Sequence, residues 1–198
     1  KRWSLSVSKQ TRLLIFDWDG TLVNSLPRIV AAMHAAAIKC QLPQREDSAI
    51  HAIIGLALPQ AFDVLYPEHT EDASLRDAFR QAYGNHYLEL EHEPSPFYPG
   101  VLDNLENFKL AGYELAVATG KSRRGLAHVL SGHKMENYFH TTRCADETKS
   151  KPDPLMLKQI LEVCGKTPEQ AIMVGDSPFD LRMANNAQMR GVAVSYGA

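Results

Sequence analysis

Hydrophobic positions along the chain gather into short runs separated by stretches of helical length. The first run, residues 12–16 (Arg-Leu-Leu-Ile-Phe), is compact and ends at an acidic cluster. A second covers 113–118, a weaker third 139–143, a fourth 171–174 and a fifth 190–194. Between the later runs lie segments with the length and pattern of helices, 99–110, 123–130 and 154–163. This βαβ alternation predicts a parallel sheet covered on both faces by helices.

One interval breaks the rhythm. The stretch from residue 16 to residue 113 is too long for a single crossover, and 25–93 is nearly all helical in pattern, with helix starts near Ser25, Asp47, Leu58 and Thr70. Its exit, residues 93–100 (Glu-Pro-Ser-Pro-Phe-Tyr-Pro-Gly), is rich in proline and poor in helix formers. The expected division is a Rossmann-like α/β core from residues 11–22 and 97–198, with 23–96 inserted as a helical cap. Residues 22–25 and 93–99 would serve as the hinges. The chain stops soon after the fifth run, so the sequence is expected to be incomplete at its C-terminus.

Composition narrows the class. The 198 residues carry a net charge of -2, with 44% hydrophobic and 22% charged residues, ordinary values for a soluble globular protein. That charge gives no electrostatic case for nucleic acid or an anionic membrane. The basic start (Lys1, Arg2, Lys9, Arg12) reads as a solvated tail. The longest apolar run, 29–38, is interrupted by His34, is too short to span a bilayer and reads as a buried helix. Cys40, Cys144 and Cys164 are scattered and odd in number, which points to neither a disulfide framework nor a zinc site, and to a reducing cytoplasm.

Four clusters carry chemistry, each just after an apolar run. Asp17-Trp18-Asp19-Gly20-Thr21 concentrates carboxylates at a strand end, where open α/β sheets bind ligands. Hard oxygen donors of this kind suit magnesium, which also keeps waters and phosphate oxygens as ligands. The same pentad alone also fits a turn. Gly175-Asp176-Ser177-Pro178-Phe179-Asp180 adds two carboxylates, with Ser177 and Pro178 suited to opening a helix. In Lys151-Pro152-Asp153-Pro154 the prolines restrict the backbone around a cation. Thr119-Gly120-Lys121-Ser122 ends like a nucleotide-binding P-loop, but that motif needs a glycine where Leu115 stands. Thr119 and the Gly120 amide remain phosphate ligands at a strand end, before a helix whose N-terminus favours anions.

These pieces, in this order, resemble the haloacid dehalogenase superfamily of phosphatases, and the helical insertion resembles the cap of its phosphoglycolate phosphatase-like branch. The resemblance implies the strand order 5-4-1-2-3, which brings the strands carrying Asp17, Thr119 and Asp176 side by side. It implies Asp17 as nucleophile, forming an aspartyl-phosphate, and Asp19 as general acid and then base. Mg2+ would be held by Asp17, by the Asp19 backbone carbonyl and by Asp176, with Asp180 as an outer ligand or an orienter. Thr119, Gly120 and Lys151 would bind the phosphoryl oxygens. Asn24 departs from an aspartate common in this branch.

The implied function is hydrolysis of a small phosphorylated metabolite, phosphoglycolate-like, by a monomer or weak dimer without nucleic-acid or membrane partners. Arg28, Lys39, Arg45, Arg123 and Arg124 are candidates for recognising a substrate carboxylate. The alternatives are a phosphomutase of the β-phosphoglucomutase kind, a pyrophosphatase and a non-catalytic module that binds a phospho-ligand. Presence of Asp19 favours phosphoryl chemistry over carbon–halogen cleavage.

Overall fold

The computed structural model describes residues 11–90 and 93–198. Lys1, Arg2 and Lys9 of the basic start therefore lie outside the described residues. Five strands, β1 (Leu13–Phe16), β2 (Glu114–Thr119), β3 (Thr141–Cys144), β4 (Ala171–Gly175) and β5 (Arg190–Ala193), form one parallel sheet in the order β3-β2-β1-β4-β5. The order expected from the resemblance is the order found.

Period-two alternation explains how the sheet is covered. Leu14 and Phe16 of β1, Leu115 and Val117 of β2, and Ile172 and Val174 of β4 face one apolar cluster with Val101, Leu105, Leu126 and Val129. That layer comes from α5 (Val101–Leu110) and α6 (Arg123–Gly132). The alternate residues, Leu13 and Ile15, Ala116 and Ala118, and Ala171 and Met173, face Met156, Leu157, Ile160, Met183 and Ala184. These belong to α7 (Leu155–Cys164) and α8 (Pro178–Asn186). All four residues of β1 are buried, and each such side chain contributes roughly 1.5–3 kcal/mol. The central strand is thus firmly seated between both layers, and it delivers Asp17.

The chain leaves this layer after β1 and returns before α5 through two segments that run antiparallel. Asn24 N–H donates to Pro96 O at 2.8 Å, Tyr98 N–H donates to Leu22 O at 3.0 Å, and Val23 bridges Phe97. Between them lie α1 (Leu26–Lys39), α2 (Asp47–His51), α3 (Leu58–Leu65), a 3-10 turn (Pro67–His69) and α4 (Ala73–Glu89). These helices bury a cluster of their own, including Ile29, Met33, Phe62, Tyr66 and Phe79. The Phe62 ring lies 5.3 Å from Tyr66 and 5.3 Å from Phe79.

Two local expectations change. Run 29–38 is buried only along one face of α1, because helical period turns Ile38 outward to 64% exposure. The last helix of the insertion starts at Ala73 rather than near Thr70, capped by the Asp72 side chain accepting from Leu75 N–H. The 3-10 turn at Pro67–His69 uses the residues just upstream.

Candidate active site

Parallel strands place their carboxyl ends along one edge, and the residues just beyond β1, β2 and β4 meet there. Asp17 prolongs the ladder, its N–H donating to Val174 O at 2.9 Å. Its side chain is buried. One carboxylate oxygen, Oδ1, accepts from Trp18 N–H at 2.7 Å and lies 2.8 Å from Lys151 Nζ. The other, Oδ2, is buried and has no hydrogen-bond partner among the described residues.

Lys151 has no accessible side-chain surface and lies between two acids, with Nζ also 2.7 Å from Asp180 Oδ1. Asp180 is held in turn by the start of α8. Ser177 N–H and Oγ–H donate to Asp180 Oδ2 at 3.1 and 2.7 Å, and Ser177 Oγ accepts from Asp180 N–H at 3.4 Å. This reciprocal box satisfies helix-start amides and fixes the carboxylate under Lys151. Asp176 accepts from Thr21 Oγ–H at 2.8 Å and from Ala198 N–H at 2.7 Å. Gly20, at φ +78°, packs against that carboxylate so closely that a Cβ would collide with it.

The carboxylates of Asp17, Asp176 and Asp180 offer oxygens lying within 4.8 Å of one another. Burial pushes the Asp17 carboxyl well above the usual carboxylate range; Lys151 opposes the shift, while Asp180 and Asp176 add to it. Burial also raises Asp176, against the donors Ala198 and Thr21. For Lys151, burial favours the neutral amine, but Asp17 and Asp180 outweigh it and keep the ammonium. A buried anionic oxygen without a donor, beside a second carboxylate, fits a divalent cation of the hard type. Asp180 is differently placed, since its oxygens already serve Lys151 and Ser177.

Asp19 stands apart from that group. Its Oδ1 accepts from Ser25 Oγ–H at 2.6 Å and lies 3.1 Å from Lys121 Nζ. The buried Thr119 ends β2, its hydroxyl oxygen accepting from Lys121 N–H at 3.2 Å. Gly120 lies under the loop between α2 and α3, where a Cβ would sit 2.6 Å from both Gly55 O and Leu56 O. The same loop is tied down by Ala57 N–H donating to Ser150 Oγ at 2.9 Å. Helix α4 adds Tyr83 and Tyr87, whose rings lie 5.9 Å apart; the Tyr87 hydroxyl is 3.4 Å from Lys121 Nζ. The site is therefore roofed by the helical insertion.

Asp17, Lys151, Asp176 and Asp180 meet at this edge of the sheet, with Asp19, Thr119 and Gly120 beside them, but three of the candidates for a substrate carboxylate, Arg28, Arg45 and Arg123, are engaged elsewhere. Arg45 pairs with Glu68 at 2.7 Å and donates to Leu65 O. Arg123 forks onto Glu147 and Thr142. Arg28 donates to Glu93 O, and Lys39 and Arg124 are exposed. Sequence reasoning missed Lys121, Tyr83, Tyr87 and Ser25. Lys121 was visible as part of the Gly-Lys-Ser tripeptide, which drew attention only as an incomplete P-loop.

Residues 14–194 match the family described as haloacid dehalogenase-like hydrolase, and the chain belongs to that family. Phosphoglycolate phosphatase 1 of Pseudomonas aeruginosa is 34% identical over 197 residues, covering 94% of this chain and 70% of the relative. Among solved structures, one titled a predicted phosphoglycolate phosphatase from Haemophilus somnus 129PT superposes with a TM-score of 0.81 at 30% identity, covering 96% of this chain and 87% of that one. The β-phosphoglucomutase of Clostridium difficile superposes at 0.82 with 18% identity, covering 93% and 85%, a likeness of fold alone.

Proposed function

We propose that this hydrolase is a magnesium-dependent phosphatase acting on a small phosphomonoester, phosphoglycolate-like, through an aspartyl-phosphate on Asp17. The observation that carries the reading is the Asp17 carboxylate, with one oxygen held by Lys151 and the other buried without a partner beside Asp176. Magnesium would be held by Asp17 Oδ2, Asp176 and the Asp19 carbonyl, and its charge would screen the phosphate oxygens from the attacking carboxylate.

Asp17 attacks phosphorus and the ester P–O bond breaks, with the leaving alkoxide taking a proton from Asp19. Water then attacks the aspartyl-phosphate and gives its proton to Asp19, releasing phosphate and the free carboxylate. Thr119, the Gly120 amide and Lys151 bind the phosphoryl oxygens, and most of the rate gain comes from this preorganised charge. Asp180 orients Lys151. The core of residues 11–22 and 97–198 supplies the chemistry, and the cap of 23–96 excludes bulk water and limits substrate size. The names of the relatives support phosphoglycolate as the first substrate to try. The free Cys40, Cys144 and Cys164 agree with a cytoplasmic location. A monomer or weak dimer acting on a small phosphorylated metabolite, without nucleic-acid or membrane partners, completes the reading.

Phosphate release from phosphoglycolate, sugar phosphates, nucleotides and pyrophosphate, with magnesium or EDTA, tests it. Turnover is expected only with magnesium, and Asp17→Asn is expected to abolish it. Turnover that survives in Asp17→Asn would remove Asp17 as nucleophile. A sugar phosphate isomerised without phosphate release would identify a mutase instead.

A further inference from the structure

Two buried ammonium groups flank the two catalytic carboxylates, and only one has been given work. Lys151 serves Asp17, where phosphorus would be attacked. Lys121 serves Asp19, with its side chain 10% exposed and Nζ 3.1 Å from Asp19 Oδ1. Resting on the phosphatase reading above, we propose that Lys121, backed by Tyr87, is the specificity-determining cation that binds a carboxylate on the alcohol half of the substrate.

Placement comes first. If Asp19 delivers its proton to the ester oxygen, Lys121 stands beside the leaving group rather than the phosphoryl group. In a phosphorylated 2-hydroxy acid a single carbon separates the ester oxygen from the carboxylate. An acid group on that carbon falls within reach of a cation already touching Asp19.

Unspent capacity comes next. An ammonium has three donors. Asp19 Oδ1, its nearest partner, is already taken by Ser25 at 2.6 Å, and the Tyr87 hydroxyl is distant at 3.4 Å. The Tyr87 ring lies 4.7 Å from Nζ, a face that supports a cation without using up its hydrogens. Of the other cations considered, Arg123 is committed to Glu147, Arg45 to Glu68 and Arg28 to Glu93 O, while Lys39 and Arg124 are exposed at the surface. The roof also matters, because Lys121 rises from the β2 edge while Tyr87 descends from α4. The pair forms only when the insertion lies over the sheet, so a substrate acid bound there would bridge the two layers.

The test uses two esters that differ only in the acid, phosphoglycolate and ethyl phosphate, with wild type, Lys121→Met and Lys121→Arg. The readout is the ratio of their kcat/KM values, in which any common effect on Asp19 cancels. A lost charge-assisted contact should lower that ratio on the order of 30-fold in Lys121→Met, mostly through KM, with partial recovery in Lys121→Arg. An unchanged ratio in Lys121→Met, or a wild type indifferent to the carboxylate, would overturn the proposal. Calorimetric binding of 3-phosphonopropionate against propylphosphonate, with magnesium, separates the two ideas. If wild type hydrolyses neither ester nor any member of the panel above, the phosphatase reading fails, yet tighter binding of the acid that Lys121→Met abolishes would still establish the anion site. Equal binding of both phosphonates would refute it.

Discussion

Lys151 shows how much one side chain carries when burial removes water as an alternative partner. It neutralises Asp17 and Asp180 at 2.8 and 2.7 Å. Removing one partner from a buried pair costs about 3–5 kcal/mol, because the remaining charge stays desolvated. Lys151→Met should therefore lower the melting temperature clearly and abolish turnover, and magnesium should restore part of the stability by meeting Asp17. Asp17 has the opposite sign. Burial raises its carboxyl above the value in the unfolded chain, so folding favours the protonated form. The stabilisation is complete below the ordinary carboxyl range and is lost as pH rises through the folded value. Asp17→Asn should flatten that decline in thermal unfolding of the metal-free protein between pH 4 and pH 8. A steeper decline in the variant would contradict this assignment of strain.

These residues differ in how plainly they show in the sequence. Asp17, Thr119 and Asp176 are legible because short apolar runs announce strands, and carboxylates at strand ends have few structural uses. Lys121, Tyr83 and Tyr87 are not. Their meaning depends on how α4 docks on the sheet, and a helix pattern alone does not say which face meets which neighbour.

At the scale of elements, α8 does two tasks with one motif. Ser177 caps the helix and grips Asp180, so its removal reaches Lys151 indirectly. Ser177→Ala should cost about 1 kcal/mol as a lost cap. The fall in kcat should exceed what that instability explains, and steady-state kinetics well below the melting temperature would show it. The five strands were all legible to within a residue or two: β1, β2 and β4 are compact apolar runs, while β3 (Thr-Thr-Arg-Cys) and β5 were marked more weakly and by their place in the alternation. Helix starts were less so. The start near Thr70 moved to Ala73 because Pro67–His69 forms a tighter turn and Asp72 is the better cap.

At the scale of the whole molecule, stability and closure meet at the edge of the sheet. A ligand bound only by the folded chain stabilises it by mass action. Magnesium should therefore raise the melting temperature, more at pH 8 than at pH 5, as Asp17 and Asp176 lose protons. Scanning calorimetry at the two pH values checks this, and Asp17→Asn should remove most of the shift. Closure has its own test. Gly120→Ala would place a methyl group where Gly55 O and Leu56 O now lie, 2.6 Å away. Both are main-chain atoms, so the loop must shift to admit it: the variant should lose some stability and close poorly, with a kcat loss of roughly tenfold or more well below its melting temperature. Faster hydrogen exchange at the Ala57 amide, which now donates to Ser150, would report the loosened roof.

Part of the contact between roof and floor is made by Gly120, by the carbonyls of Gly55 and Leu56, and by the Ala57 amide, and this part is mostly main chain. Main chain is common to every descendant of a gene, whatever side chains drift around it. A lineage could exchange Tyr83 or Tyr87 on the roof, and so change its diet, while the door went on closing as before. On the function proposed above, the architecture would separate what the molecule eats from how it digests, and leave the first open to selection without endangering the second.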